Sequence, residues 1–542
     1  MLSLGMTAAA AASAPQQCDV SIIGAGWAGI YTAYRLATTS HEAVCLFEAY
    51  SRPGGRTYST NAVDPRYVID AGAYRFAGDM HLPADLIRHV GLLSVCYDPT
   101  CTDEVSKEVP WPYQEPLQKL VDYAGRHIGY GAALDAMLAR FQAEGGSLIL
   151  DARLTSLAPG VGCSRGSRAD AAAPCWRLEF GDGRAVVSGS VVLNMPRPAL
   201  AEISGLAEAV GAARWAALQC TARDFPPSIK EGATTSKVYA VYEDAWWVSM
   251  LGLLRGTRED MDESNNTPPV SIHYHDGEAV CATGATDVGG NVAWVPARDA
   301  PSDSRTRCRG VLQVFYRHSQ ACPAASPHCM DYWAALPRTH SSEPLTVVRG
   351  SGGGSGGGSG GCEAGVEQAQ AQGGEAQGAR VEDALIDAVH AKLLRMHAAD
   401  FAKHNISAAA VAALPKPSAL AYSVWWHQGT LPAGDAPLLT GPQDVIFTDD
   451  GGLPSACHAS SVREWDGLVQ GTGNATRAVG SGAGLHVLNN DYAATAAGKW
   501  HGPWAEASLL AAERTLAEAF GLRPPSWLNS SYYLHHVMRP SS

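Results

Sequence analysis

The sequence predicts an α/β fold, and three observations carry the prediction. The first is the run Asp19-Val-Ser-Ile-Ile-Gly24-Ala-Gly26-Trp-Ala-Gly29, where an apolar strand opens onto closely spaced glycines and then a helix. The second is Val44 to Phe47, another apolar run, ending on Glu48. The third is a later mixture of alternating runs, such as Lys237 to Tyr242, with helical stripes, such as Leu385, Val389, Leu393 and Met396. The first two make a strand, turn, helix and strand with an acidic residue at the end. In such a unit Gly24 allows the tight turn, Gly26 lets a pyrophosphate approach the backbone, and Gly29 packs helix against strand. The helix N-terminus faces the phosphates, and Glu48 accepts hydrogen bonds from ribose hydroxyls. The expected ligand is a dinucleotide.

Length and composition bound the rest. A chain of 542 residues, 46% hydrophobic and 17% charged, has room for two or three globular domains. A net charge of −13 argues against nucleic acid or an anionic membrane as partner. No apolar run reaches transmembrane length. The Ala-rich start, Met1 to Gln17, reads as a weak signal peptide, and sequons at Asn265, Asn405, Asn474 and Asn529 add to a weak preference for the secretory route. The 13 cysteines form no CxxC pair and are expected to be free buried thiols; Cys322 with Cys329, or Cys96 with Cys101, are the disulfides expected of an exported chain. No metal site is expected.

The stretch after Glu48 narrows the ligand. Glu48-x-x-x-Arg52-x-Gly54-Gly55-Arg56 resembles the second signature of flavin-containing amine oxidases, which implies FAD rather than NAD. Paired glycines let the chain pass close to a cofactor, and Arg52 and Arg56 place positive charge near its phosphates and ring. Next comes Asp70-Ala-Gly72-Ala-Tyr-Arg75. There Arg75 resembles the arginine that clamps the substrate carboxylate in L-amino-acid oxidases, a task suited to a bidentate guanidinium. Pairing of Arg75 with a protein carboxylate or the cofactor is the other reading. Lys237 opens an alternating strand with Val238, Ala240 and Tyr242 on one face and Tyr239 and Val241 beside Lys237 on the other; Trp246-Trp247 follows. It resembles the family strand whose lysine holds a water against flavin N5; the other reading is a solvated strand end.

Further resemblances complete the site. Ala421-Tyr422-Ser-Val-Trp425-Trp426 resembles an aromatic wall of the substrate cage, and Ala421 stands about where some relatives carry a flavin-linked cysteine, which implies noncovalent FAD. Leu154 resembles a position whose backbone meets the adenine. Leu485 to Asp491, followed by Trp504-Ala-Glu506, resembles the C-terminal FAD motif. Asp491 replaces the usual glutamate as an acceptor for the ribityl chain, Trp504 faces Trp425 or Tyr422, and Glu506 lies in the first turn of a helix aimed at the flavin's N1–C2=O edge.

Other elements follow from periodicity. Leu82 to Leu93 and Gly129 to Glu144 read as helices, with one short helix around Leu117 to Tyr123 where relatives have a large helical subdomain. Leu148 to Leu150 reads as a strand, and Trp176 to Phe180 with Ala185 to Val187 as a ribbon around Gly181-Asp182-Gly183. Gly256 to Cys308 reads as loop, and Val311 to Tyr316 as a strand. Gly350 to Arg380 is low in complexity and is expected to be a disordered insertion before a helix from Val381 to Met396.

The resulting plan is a Rossmann-like FAD-binding domain assembled from discontinuous segments, with an α+β substrate domain of mixed sheet and helices. FAD-binding segments fall at 17–80, 127–202 and 480–523, and a short helical substrate segment at 81–126. The substrate domain takes 203–349 and 381–479, with the insertion at 350–380 and a tail at 524–542. The implied activity is oxidation of a primary amine by O2, foremost of an L-amino acid, giving a 2-oxo acid, ammonia and hydrogen peroxide. Monoamine or polyamine oxidation, with Arg75 structural, is the alternative. A non-catalytic flavin-binding scaffold is the alternative of another class.

Overall fold

A computed structural model describes residues 15–40, 42–96, 116–161, 174–195, 197–212, 215, 234–262, 267–286, 292–301, 303, 305, 307–318, 332–335, 343–349, 375–426, 484–488 and 505–538. The apolar runs at the N-terminus become β1 (Gln16–Ile23) and β2 (Val44–Phe47), on either side of helix α1 (Trp27–Thr39). Two small strands, β3 (Ser59–Thr60) and β4 (Ile69–Asp70), pair with each other. β5 (Phe76–Ala77), β6 (Leu93–Cys96) and β7 (Leu117–Val121) form a small sheet with β7 in the middle. α2 (His81–His89) and α3 (Ala132–Ala143) lead to β8 (Ser147–Ile149), β9 (Leu154–Val161), β10 (Pro174–Phe180) and β11 (Ala185–Leu193).

One sheet collects strands from three distant stretches. β8, β2, β1 and β11 run parallel in that order, and β19 (Gly484–Val487) adds a further parallel strand to β11. β10 and β9 continue antiparallel. One face of this sheet packs Val20 and Ile22 with α1, α3 and the helix Ala505–Phe520. The other packs Ile23 and Phe47 with Trp176, Leu178 and Leu193. α1 is buried from Trp27 to Leu36, so truncating a core residue such as Ile30 to Ala is expected to cost ~2–5 kcal/mol.

The second large sheet is antiparallel. Its order is β13 (Thr257–Asp260), β14 (Val270–Thr286), β16 (Cys308–His318), β12 (Thr234–Tyr242), β18 (Ala419–Trp426) and β17 (Thr346–Arg349), with β15 (Val292–Pro296) on β14. The alternation of β12 divides two cores. Val238, Ala240 and Tyr242 pack with Leu385, Val389 and Leu393 of the helix Glu375–Met396. Tyr239 and Val241 pack with Val63, Tyr67 and Ile69.

Several expectations are corrected. Leu117 to Val121 is a strand rather than a helix, because β5 and β6 occupy both its edges and buried Lys119 reaches Glu278 at 3.0 Å. The stretch from Gly256 to Cys308 contains β13, β14 and β15 rather than loop alone. Trp246 and Trp247, which follow β12, start the short helix Trp246–Ser249, buried against Tyr242, whose ring Trp247 meets edge-on at 5.4 Å. The helix expected from Val381 begins at Glu375, inside the expected insertion, where Ala, Gln and Glu are strong helix formers. The expectation of free thiols fails at Cys18–Cys45 and Cys281–Cys308, which are disulfides between neighbouring strands; Cys96 is disulfide-bonded as well. Cys101, Cys322 and Cys329 lie outside the described residues. Among the described residues no helix is long and apolar enough to cross a membrane.

Candidate cofactor and active site

The glycine run forms a cradle between the end of β1 and α1. Gly24 has φ +101°, and a Cβ there would lie 2.0 Å from the Asn194 carbonyl oxygen. A Cβ on Gly29 would lie 1.9 Å from the Gly24 oxygen, so helix and turn meet without room for a side chain. Gly26 stands at the N-cap of α1, and among the described residues no side chain caps the first-turn amides. An uncapped helix start over open backbone suits an anion. Buried Glu48 holds the loop: its carboxylate accepts from Ala25 N at 2.8 Å and Tyr50 N at 3.2 Å, and burial raises its pKa against these bonds. Gly54 N donates to the Ala25 oxygen at 2.7 Å, which lays the Gly54-Gly55 turn against the cradle. Arg52 donates to the Pro53 and Gly55 oxygens and lies over the Tyr58 ring at 4.9 Å.

Sequence reasoning missed Asn194. It stands just past β11, and its Nδ2 donates to the Gly24 oxygen at 3.1 Å. Its one signal is an amide at the end of an apolar strand.

A second constellation surrounds Asp70 to Gly72. Lys237 Nζ donates to the Asp70 oxygen at 3.0 Å and the Gly72 oxygen at 2.6 Å, and sits 3.6 Å from the Tyr74 ring centre. Tyr239 OH donates to the same Asp70 oxygen at 2.8 Å. Ser423 Oγ and Trp425 Nε1 donate to the Ala71 oxygen at 2.8 and 2.6 Å. Gly72 is tightly enclosed, since a Cβ would lie 2.1 Å from the Arg56 oxygen and 3.1 Å from Trp425. Lys237 is 2% exposed; burial pushes its pKa well below the ordinary value, Asp70 opposes the shift and Arg75 adds to it. The Asp70 carboxylate takes His127 Nε2 at 2.8 Å and Tyr130 N at 3.0 Å. Arg75 lies over the Tyr74 ring at 4.5 Å. Burial raises the Asp276 carboxyl to about 7, and Arg75 pulls against that rise.

Residues 22–87 match the family model described as an NAD(P)-binding Rossmann-like domain. The N-terminal segment is Rossmann-like. No curated protein matches the chain in sequence. Among solved structures the chain is similar to wild-type putrescine oxidase bound to putrescine, at 12% identity and a TM-score of 0.45, over 94% of this chain and 100% of that one. It is similar at the same identity and coverage to a triple mutant of putrescine oxidase redesigned in its cofactor binding, with a TM-score of 0.46. At such identity and TM-score neither likeness speaks to activity.

Leu154 is buried at the start of β9, two residues past Ala152, whose amide donates to the Glu48 oxygen at 2.8 Å. Tyr422 lies on the opposite face of β18 from Trp425, in the core with Val238 and Val424. Glu506 is engaged by Leu82 N at 2.9 Å and by Tyr532 OH, and burial raises its carboxyl to about 8. Asp491 and Trp504 lie outside the described residues.

Proposed function

We propose that the chain is an FAD-dependent oxidase of primary amines, acting foremost on L-amino acids. The observation that carries the reading is the seating of Lys237 on the Asp70 and Gly72 carbonyls, with the glycine cradle upstream in the same Rossmann-like segment. A buried amine tied to a glycine-rich segment has no evident role as a solvated strand end. The cradle fits a dinucleotide: Gly24 and Gly29 let the turn and the helix close on each other, Gly26 keeps side chains off the helix start, and the Glu48 carboxylate holds the loop through the Ala25 amide. Bound FAD would supply the two-electron acceptor for the amine. Binding is read as noncovalent, since Ala421 offers no thiol.

The chain's own residues then have distinct tasks. Gly24 to Gly29, Arg52 and the Gly54-Gly55 turn would hold the cofactor, with Arg56, Leu154, Asp491 and Glu506 as further contacts. Lys237, favoured as a neutral amine by burial, would hold a water or a proton beside the reacting atoms. Tyr74 and Trp425 exclude bulk water there, and an apolar aromatic wall disfavours a substrate ammonium, leaving the amine lone pair available. Arg75 would fix a substrate carboxylate. The Cys18–Cys45 and Cys281–Cys308 disulfides support an oxidising, secretory setting.

One observation supports a second reading. Arg75 is within electrostatic reach of the buried Asp276 carboxyl, so a protein carboxylate stands ready to neutralise it. Arg75 would then be structural and the substrate a plain monoamine or polyamine. The test is anaerobic mixing of the purified yellow protein with L-amino acids and their decarboxylated amines. Bleaching by amino acids first is the expected result. Bleaching by amines alone selects the second reading, and a flavin that nothing bleaches overturns both in favour of a binding protein.

A further inference from the structure

β14 passes through His273, Tyr274, His275 and Asp276, and its pairing with β16 loses register between His273 and Glu278. The irregularity gathers two imidazoles and a carboxylate on one spot. Ligating atoms of His273, His275 and Asp276 all lie within 4.8 Å of one another. Asp276 Oδ2 is 3.7 Å from His273 Nδ1, and Asp276 Oδ1 is 3.6 Å from His275 Nε2. Those separations are too long for hydrogen bonds. They are close to the ~3.4 Å between neighbouring ligands of a tetrahedral ion bound at ~2.1 Å. The Asp276 side chain is 1% exposed, yet neither carboxylate oxygen has a hydrogen-bond partner among the described residues. A buried carboxylate left in that state is costly, and a cation is one way to satisfy both oxygens.

We propose that His273, His275 and Asp276 form a binding site for a divalent transition-metal ion. Two imidazoles and one carboxylate select zinc or a neighbouring first-row ion over magnesium or calcium, which prefer oxygen ligands. His275 and Asp276 also line a cavity of ≈ 10 Å³ with Asp70, Tyr74 and Lys119. That is about the room one water needs, so the cavity beside His275 and Asp276 has space for a further ligand. Arg75 acts on both His273 and Asp276, and its positive charge opposes the ion. The site is therefore weaker than a closed structural zinc site and is expected to be lost on dialysis against a strong chelator. None of its three ligands is assigned to the cofactor or the amine, and its test does not depend on the oxidase reading.

The test uses full-length, tag-free protein stripped with chelator, then titrated with Co²⁺ and separately with Zn²⁺. About one ion per chain is expected after gel filtration, with visible Co²⁺ bands of low-coordinate type. Asp276→Asn keeps shape while removing charge and should weaken Co²⁺ binding at least ~10-fold, as should His275→Gln. Circular dichroism and melting of each variant show that it is folded, and one folded variant suffices. Uptake well below one ion per chain in the parent, or unchanged uptake in a folded variant, overturns the proposal.

Discussion

Replacing Arg35 with Met should unseat the helix that opens the cofactor cradle. Arg35 on α1 pairs with Glu513 on the helix Ala505–Phe520, with side chains 4% and 1% exposed. Arg35 also donates to Tyr31 OH at 3.2 Å and to the Arg523 oxygen at 2.9 Å, and Tyr31 OH donates to Glu513. Without the guanidinium, the Glu513 carboxylate keeps the Tyr31 hydroxyl as a hydrogen-bond donor within an apolar core. Breaking one side of a buried pair costs about 3–5 kcal/mol. Burial already raises the Glu513 pKa from 4.5 while Arg35 pulls it down, so the variant raises it further. A carboxyl with a raised folded pKa contributes stability that is full below about 4.5 and lost as pH rises through the folded value. Arg35→Met should therefore trail the parent by about 3–5 kcal/mol at pH 7.5 and recover part of that at pH 5. Urea unfolding followed by tryptophan fluorescence at both pH values measures this. Arg35→Met combined with Glu513→Leu should regain most of the loss, because apolar replacement of a whole buried pair is often neutral. A single variant within ~1 kcal/mol of the parent at pH 7.5, or a double variant no better than the single, refutes the reasoning.

Under the proposed function, Lys237→Met should keep its FAD but slow flavin reoxidation by oxygen ~10- to 100-fold, about 1.4–2.7 kcal/mol of barrier, in stopped-flow; an unchanged rate returns Lys237 to a packing role. Arg75→Ala should lose ~30- to 1000-fold in kcat/KM on an amino acid and far less on the matching amine; equal losses point to a structural arginine. Glu506, raised to about 8, holds its proton longer in the folded chain than in the unfolded one. Stability should therefore fall as pH rises from about 4.5 to about 8, and Glu506→Gln should flatten that slope in melting curves; an unaltered slope counts against it.

The elements with a single period were legible in the sequence. Gly24 to Glu48 and Lys237 to Tyr242 could be read because one periodicity and a few glycines settle their geometry. The alternation of β12 even separated the two cores correctly, with Val238 on one side and Tyr239 on the other. β14 was not legible. Gly256 to Cys308 reads as loop, yet the strand runs through Asp276-Gly277, and Gly277 is needed where a Cβ would lie 2.3 Å from the Val311 oxygen. The His273, His275 and Asp276 cluster was hidden for the same reason. Leu117 to Val121 is too short for period to choose between helix and strand, and its neighbours across the sheet decided. Asn194, Glu513 and the Cys18–Cys45 link depend on contacts between distant segments, which local patterns do not encode.

β12 has a consequence for how errors in this protein would show themselves. Its ladder pairs Lys237 with Ser423 on one side and Tyr316 on the other. A slip of one residue would turn every side chain to the opposite face. A slip that carried Lys237 into the place of Val238 would take its amine off the Asp70 and Gly72 carbonyls and into the packing of Leu385 and Val389. Pairing of β12 in this register and seating of the amine on the Asp70 and Gly72 carbonyls therefore go together. A buried amine thus marks the native pairing: only in this register does it find carbonyl acceptors instead of an apolar core.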